Sequence, residues 1–151
     1  MLYSYKIQFL CERRGVTYIT LANYLNISKS RFSRYVNEKE LMPLKYLNQL
    51  CNYFDVSFDY IFSFTDKCCY QQQNKEINRT EIGKRLKEFR KENNLTQEKL
   101  ASILNTVHPV ISNYEKGKFL IALPFLYTIC KKYNISADYL LGKIDNPKYL
   151  K

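Results

Sequence analysis

The chain repeats itself, and the repeat limits its fold more than any other feature. Set against itself at an offset of 79, residues 3–63 align with residues 82–142 without a gap, and fifteen of the 61 pairs are identical. They run from Thr17/Thr96, Leu21/Leu100, Ala22/Ala101, Leu25/Leu104 and Asn26/Asn105 to Ser57/Ser136, Asp59/Asp138 and Tyr60/Tyr139. Other pairs keep an apolar side chain, such as Ile7/Leu86, Val16/Leu95, Phe32/Ile111, Phe54/Tyr133 and Val56/Ile135, as two copies of one small core require. The chain is therefore a tandem duplication, with copies over 1–65 and 80–151. Between them, residues 66–79 lose the apolar period and gain a polar tract, which predicts a linker carrying Cys68 and Cys69 as reduced thiols.

Helices are the expected building blocks. Four Gly and four Pro leave little material for a turn-dense β-barrel or a Gly-rich phosphate loop. In the second copy Ile82, Leu86 and Phe89 recur at helical spacing, a turn follows at Asn93-Asn94, and Thr96 can N-cap a second helix that carries Leu100, Ala101 and Leu104 inward. Asn105, matched by Asn26, suits the left-handed conformation of a tight interhelix turn. A third helix reaches Glu115, Gly117 suits its C-terminal cap, Pro124 suits the first turn of a fourth, and Ser136 with Asp138 starts a short fifth. The prediction is all-α: two units of five short helices, with no β-sheet.

Lys and Arg total 24 against 14 Asp and Glu, a net charge of +10, which attracts nucleic acid or an anionic surface. Of this, residues 1–67 carry 9 basic and 6 acidic side chains, +3, and the remainder carries +7, so both copies can approach phosphate. The longest apolar stretch, Phe119 to Cys130, is broken by Pro124 and is too short to span a bilayer. With no secretory signal at the N-terminus, a cytoplasmic protein without a membrane association is expected. Five cysteines (11, 51, 68, 69 and 130) form no C-x-x-C pair and meet one histidine, His108, so no metal site or cofactor is expected. Neither a nucleophile with its base nor a carboxylate pair is legible, and the chain reads as non-enzymatic.

Three segments of the second copy, Leu95-Thr-Gln-Glu-Lys-Leu-Ala, Ile111-Ser-Asn-Tyr-Glu-Lys-Gly-Lys and Ser136-Ala-Asp-Tyr-Leu-Leu-Gly, resemble the phage-repressor/Cro type of helix-turn-helix family. The first copy resembles it more loosely through Val16-Thr, Leu21-Ala, Ser28-Lys-Ser-Arg-Phe-Ser-Arg-Tyr and Ser57-Phe-Asp-Tyr-Ile-Phe. The resemblance implies lambda-repressor-like domains whose third helix enters the DNA major groove. By position it puts Ser28 at an N-cap, Lys29, Ser30, Arg31 and Arg34 toward the groove, and Phe32 inward. In the second copy the same positions hold Val107, His108, Pro109, Val110 and Asn113, which replaces the polar cap and much of the hydrogen bonding. His108 precedes a proline, so this helix is expected to begin one residue late. Pro109 and Val110 suit a thymine methyl, Asn113 suits adenine, and His108 reads as a neutral hydrogen-bonding residue.

The resemblance also gives Gln97 a phosphate contact, and gives Lys116 and Lys118 the positioning of the backbone. The first copy has Tyr18, Asn37 and Lys39 there, and Tyr18 reads equally as a phosphate donor or as a surface aromatic. An arginine late in the first helix and a glutamate ending the third commonly form a buried ion pair in this family. Arg90 and Glu115 occupy those places, while the first copy has Cys11 and Val36. The expected function is a sequence-specific regulator of transcription acting on double-stranded DNA as a repressor, with no small-molecule ligand. A protein-interaction module of antirepressor or antitoxin type, with one copy turned to docking or dimerisation, stays open. So does a homodimer sealed by exposed aromatics such as Tyr3 and Tyr5.

Overall fold

A computed structural model describes residues 2–150. The chain divides into two compact units, Met1–Gln71 and Gln72–Lys151, each all-helical. The first holds α1 (Ser4–Arg14), α2 (Tyr18–Leu25), α3 (Lys29–Val36), α4 (Leu44–Phe54) and α5 (Phe58–Ile61). In the second are α6 (Arg79–Glu92), α7 (Gln97–Ile103), α8 (His108–Glu115), α9 (Leu123–Tyr133) and α10 (Ala137–Leu140). Extended pairing among the described residues is limited to one isolated antiparallel bridge, Ile135 with Tyr149, so neither unit contains a sheet.

The duplication is as clear in the backbone as in the sequence. Left-handed residues fall at Gly15 and Asn94, Asn26 and Asn105, Glu38 and Gly117, Asp55 and Asn134, and Ser63 and Gly142, five pairs each 79 apart. Every interhelix turn therefore bends alike in both units, whether or not the residue is glycine. The polar caps recur too: Thr17 and Thr96 accept from the amides of Thr20 and Lys99, and Ser57 and Ser136 from those of Tyr60 and Tyr139. Each core is built from equivalent residues, with Ile7, Leu21, Phe32, Leu47 and Cys51 buried in the first unit and Leu86, Leu100, Ile111, Leu126 and Cys130 in the second.

Three expectations change. Residues 66–79 are not a uniform linker. The Ser57 amide donates to the Cys68 carbonyl at 2.8 Å, and the Tyr70 hydroxyl to buried Asp59 at 2.7 Å. In the second unit the Ser136 amide donates to the Lys148 carbonyl at 2.8 Å, so residues after Asp66 form a returning tail of the first unit, equivalent to the chain's end with one residue inserted. Asn74 is bonded to Gly142 and Lys143, and Asn78 caps α6, so the later part of the tract belongs to the second unit. Tyr3 is not an exposed aromatic: it is buried, its hydroxyl donates to the Tyr35 carbonyl at 2.8 Å, and burial pushes the phenol up to about 12. Tyr5, by contrast, is exposed.

The third change concerns α8, which begins at His108, in register with α3 at Lys29. Pro109 lacks an N–H that the first turn would leave unpaired, and burial of Ile111 fixes the helix from its inner face, which together outweigh the preference of a pre-proline residue for extended backbone.

Left-handed Glu38 is a residue that sequence reasoning passed over. Its carboxylate accepts from the amides of Leu2 at 2.9 Å, Tyr3 at 3.4 Å and Ser4 at 3.1 Å, capping α1 from 34 to 36 residues away, whereas the side chain of Tyr3 at the cap position makes no capping bond to the helix. The equivalent Gly117 has no side chain, and a Cβ there would stand 3.2 Å from the Cα of Thr80. Glu38→Ala removes the cap and keeps the left-handed strain, so an unfolding titration should show a loss of about 1–2 kcal/mol. Glu38→Gly removes the cap and also the strain, and should lose about 1 kcal/mol less.

Candidate nucleic-acid interface

In the first unit α3 turns one face inward and the other to solvent. The spacing of Phe32, Tyr35 and Val36 buries one side of the helix, leaving Lys29, Ser30, Arg31 and Arg34 exposed together. The Ser28 hydroxyl accepts from the Arg31 amide at 3.1 Å, which fixes where the helix starts and hence where these four side chains stand. Arg34 is not unattended: its Nε donates to Glu40 Oε1 at 3.1 Å, a half-exposed pair that the sequence reading missed. Lys39 is exposed just beyond the helix, its amide bonded to the Arg34 carbonyl at 2.9 Å, and Asn37 donates to the Ser33 hydroxyl at 3.3 Å. Tyr18 packs its ring edge-on against Phe32 with centroids 5.3 Å apart, and burial raises its phenol pKa. This ring contact makes Tyr18 a partly buried packing residue.

The second unit presents a different surface. Val107, at the N-cap of α8, is exposed and supplies no side-chain cap, as its chemistry dictates. His108 and Pro109 are exposed, and Val110 and Asn113 are half-buried. Lys116 and Lys118 are exposed, and the carbonyl of Lys118 accepts from Arg79 at 3.1 Å.

Beneath this surface lies the ion pair. Arg90 Nε donates to Glu115 Oε2 at 2.6 Å and Nη2 to Oε1 at 3.0 Å, while Nη1 reaches the Leu95 carbonyl at 3.0 Å. The Glu115 side chain is 3% exposed, which makes this a buried bidentate pair, and the carboxylate raises the guanidinium pKa further. Gln97 extends it: its Nε2 donates to Glu115 Oε1 at 3.0 Å, and its Oε1 lies 2.6 Å from His108 Nε2. In the first unit these four positions hold Cys11, Val36, Tyr18 and Lys29. Packing replaces the polar chain at the first three of these, with Cys11 and Val36 buried and Tyr18 on Phe32, while Lys29 stands exposed.

Residues 6–67 match the family described as the Cro/C1-type HTH DNA-binding domain, and residues 83–146 match the family described as a helix-turn-helix domain. The chain is a tandem helix-turn-helix protein of the Cro/repressor type. Each of its two units thus matches a helix-turn-helix domain family. Over 62 residues, 41% of its length, it is 42% identical to the HTH-type transcriptional regulator ImmR of Bacillus subtilis (strain 168), covering 49% of that protein. Over 68 residues, 44% of its length, it is 35% identical to the antitoxin PezA of Streptococcus pneumoniae serotype 4, covering 43% of it. The matched part spans less than half the length of either relative. No helix among the described residues is long and apolar enough to cross a membrane.

This tandem helix-turn-helix protein also holds a buttress that lies outside the candidate surface and was not read from its sequence. Arg85 Nη1 donates to the carbonyls of Tyr139 at 2.6 Å and Ile144 at 2.7 Å, its Nη2 to Asp145 at 2.7 Å and its Nε to Glu81 at 3.0 Å. Its guanidinium also stacks 4.6 Å from the Tyr139 ring centroid. Lys6 occupies the same place in the first unit, 4.2 Å from the ring of Tyr60, the partner of Tyr139 in the repeat. The signal was present as Lys6/Arg85 above an identical tyrosine pair, but a basic residue on a helix ordinarily reads as solvated surface.

Proposed function

We propose that the protein is a sequence-specific regulator of transcription, acting as a repressor, that reads the major groove of double-stranded DNA with α3 and α8. The observation that carries this reading is the exposed face of α3, where Lys29, Ser30, Arg31 and Arg34 stand together on a helix capped by Ser28 and anchored by Phe32. Arginine and lysine there suit guanine O6 and N7 and the flanking phosphates. Val107, His108, Pro109, Val110 and Asn113 form the weaker face of α8, and Lys39, Lys116 and Lys118 supply charge to the DNA backbone. Gln97 and Tyr18 act mainly from behind these faces, since both side chains are occupied by contacts within their own units. Two different readers on one chain imply two different half-sites, and tethering raises the local concentration of each. A homodimer would present four such helices.

Salt dependence tests the reading. A regulator that neutralises several phosphates shows a steep negative slope of log K against log salt, whereas a flat slope favours a protein-docking module, the role that the similarity to an antitoxin keeps in view. Arg31→Ala should weaken binding to a selected duplex by about 1–3 kcal/mol, and Arg34→Ala by the lower part of that range, because Arg34 also gives up its bond to Glu40. Lys118→Ala should weaken all sequences alike and flatten the slope. Unchanged affinity in both arginine variants would remove α3 as the reader.

A further inference from the structure

The hydrogen bonds behind α8 determine which nitrogen of His108 carries the proton, and so which bases His108 can read. The inference rests on the DNA-reading function proposed above. Its logic starts at Glu115, whose ionised carboxylate can only accept hydrogen bonds. Glu115 Oε1 receives Arg90 Nη2 at 3.0 Å and a nitrogen of the Gln97 amide at 3.0 Å. The amide group of Gln97 facing the carboxylate must therefore be its NH2, which turns the carbonyl oxygen toward His108 at 2.6 Å. A carbonyl oxygen also only accepts, so the facing ring nitrogen, Nε2, must carry a hydrogen. Glu98 Oε1, 3.9 Å from the same nitrogen, favours the same assignment. The charged groups around the ring are thus Glu98 on α7, Glu115 on α8 behind Gln97, and Arg90 on α6 paired to Glu115.

With Nε2 protonated, the neutral ring keeps Nδ1 as an acceptor. An acceptor finds no partner in guanine O6 and N7 or in a phosphate oxygen, which are acceptors themselves. It pairs with a donor, and in the major groove those are the exocyclic amino groups of adenine and cytosine. Protonating the ring turns Nδ1 into a donor and reverses the preference toward guanine. His108 is placed to act on this difference. It occupies the first turn of α8, at the position of Lys29 in α3, and its side chain is 44% exposed despite the bond to Gln97.

We propose that the chain Arg90, Glu115 and Gln97 sets the tautomer of His108, so that Nδ1 reads an amino group of adenine or cytosine when the ring is neutral and guanine when it is protonated. The base preference of the second unit therefore changes when the ring gains its second proton.

The test is selection of duplexes from a randomised pool by the full chain at about pH 8 and about pH 5.5, on either side of the ordinary imidazole range, repeated with His108→Ala and Gln97→Leu. One position of the selected site should favour adenine or cytosine at the higher pH and shift about tenfold toward guanine at the lower, with the remaining positions unchanged. His108→Ala should abolish that shift. Gln97→Leu, which frees either nitrogen to hold the proton, should relax the preference at the higher pH and leave the guanine preference at the lower. The other positions read by the second unit serve as the internal check that each variant is folded. A site with the same preferences at both pH values, or a shift that survives His108→Ala, overturns the proposal while leaving DNA reading intact. Failure to enrich any duplex at either pH overturns the regulator reading and this inference with it.

Discussion

Glu115→Ala is expected to lower the stability of the second unit by about 3–5 kcal/mol, whereas the double change Arg90→Cys with Glu115→Val should cost less than about 2 kcal/mol. The single change strands a guanidinium that is 12% exposed and deprives it of a bidentate partner at 2.6 and 3.0 Å. It also removes the acceptor that orients Gln97. Removing both ends leaves no unpaired charge and substitutes side chains that the first unit already buries at the same positions, Cys11 and Val36. The bond from Arg90 to the Leu95 carbonyl is lost in the double variant, and this accounts for the residual cost. Chemical denaturation of the full chain, with hydrogen exchange at the amides of Leu100 and Ile111 to follow the second unit alone, measures both. Equal losses in the single and double variants would mean that the pair contributes packing and not charge compensation.

Arg85→Ala should destabilise the same unit by about 2–4 kcal/mol, because one side chain satisfies two backbone carbonyls, Tyr139 and Ile144, and two carboxylates. Desolvation of this largely buried guanidinium opposes its charge, but the bonds to Asp145 and Glu81 outweigh that cost and raise its pKa. Arg85→Lys should recover about half of the loss. An ammonium keeps the stacking on Tyr139, as Lys6 does on Tyr60, but lacks the planar fork that reaches four acceptors in fixed directions. The carbonyls of Tyr139 and Ile144 lie on the stretch from α10 to the tail, so loss of protection in α10 should precede loss in α7 and α8. A lysine variant as weak as the alanine one would assign the whole effect to hydrogen bonding.

The sequence by itself determined the duplication, five helices in each unit, the caps at Ser28, Thr96 and Ser136, and the left-handed turns at Asn26 and Asn105, while the Arg90–Glu115 pair came only through the family resemblance. The duplication, helices, caps and turns are local patterns or ones strengthened by recurring 79 residues later. The apolar period reports which face of a helix is buried, and a capping residue bonds within three residues of itself. Only the tertiary structure decided the cap that Glu38 places on α1, the return of residues 66–70 onto the first unit, the burial of Tyr3, the reach of Arg85 and the link from Glu115 through Gln97 to His108. All of these join residues that no helical period relates, from 11 along the chain for Tyr70 with Asp59 and for His108 with Gln97 to 34 to 36 for Glu38 and 54 to 60 for the far contacts of Arg85. Such contacts depend on how helices cross. Glu38 shows the limit most plainly, since the repeat aligned it with Gly117, and a glutamate in place of a left-handed glycine reads as a defect until the helix terminus it caps is seen beside it.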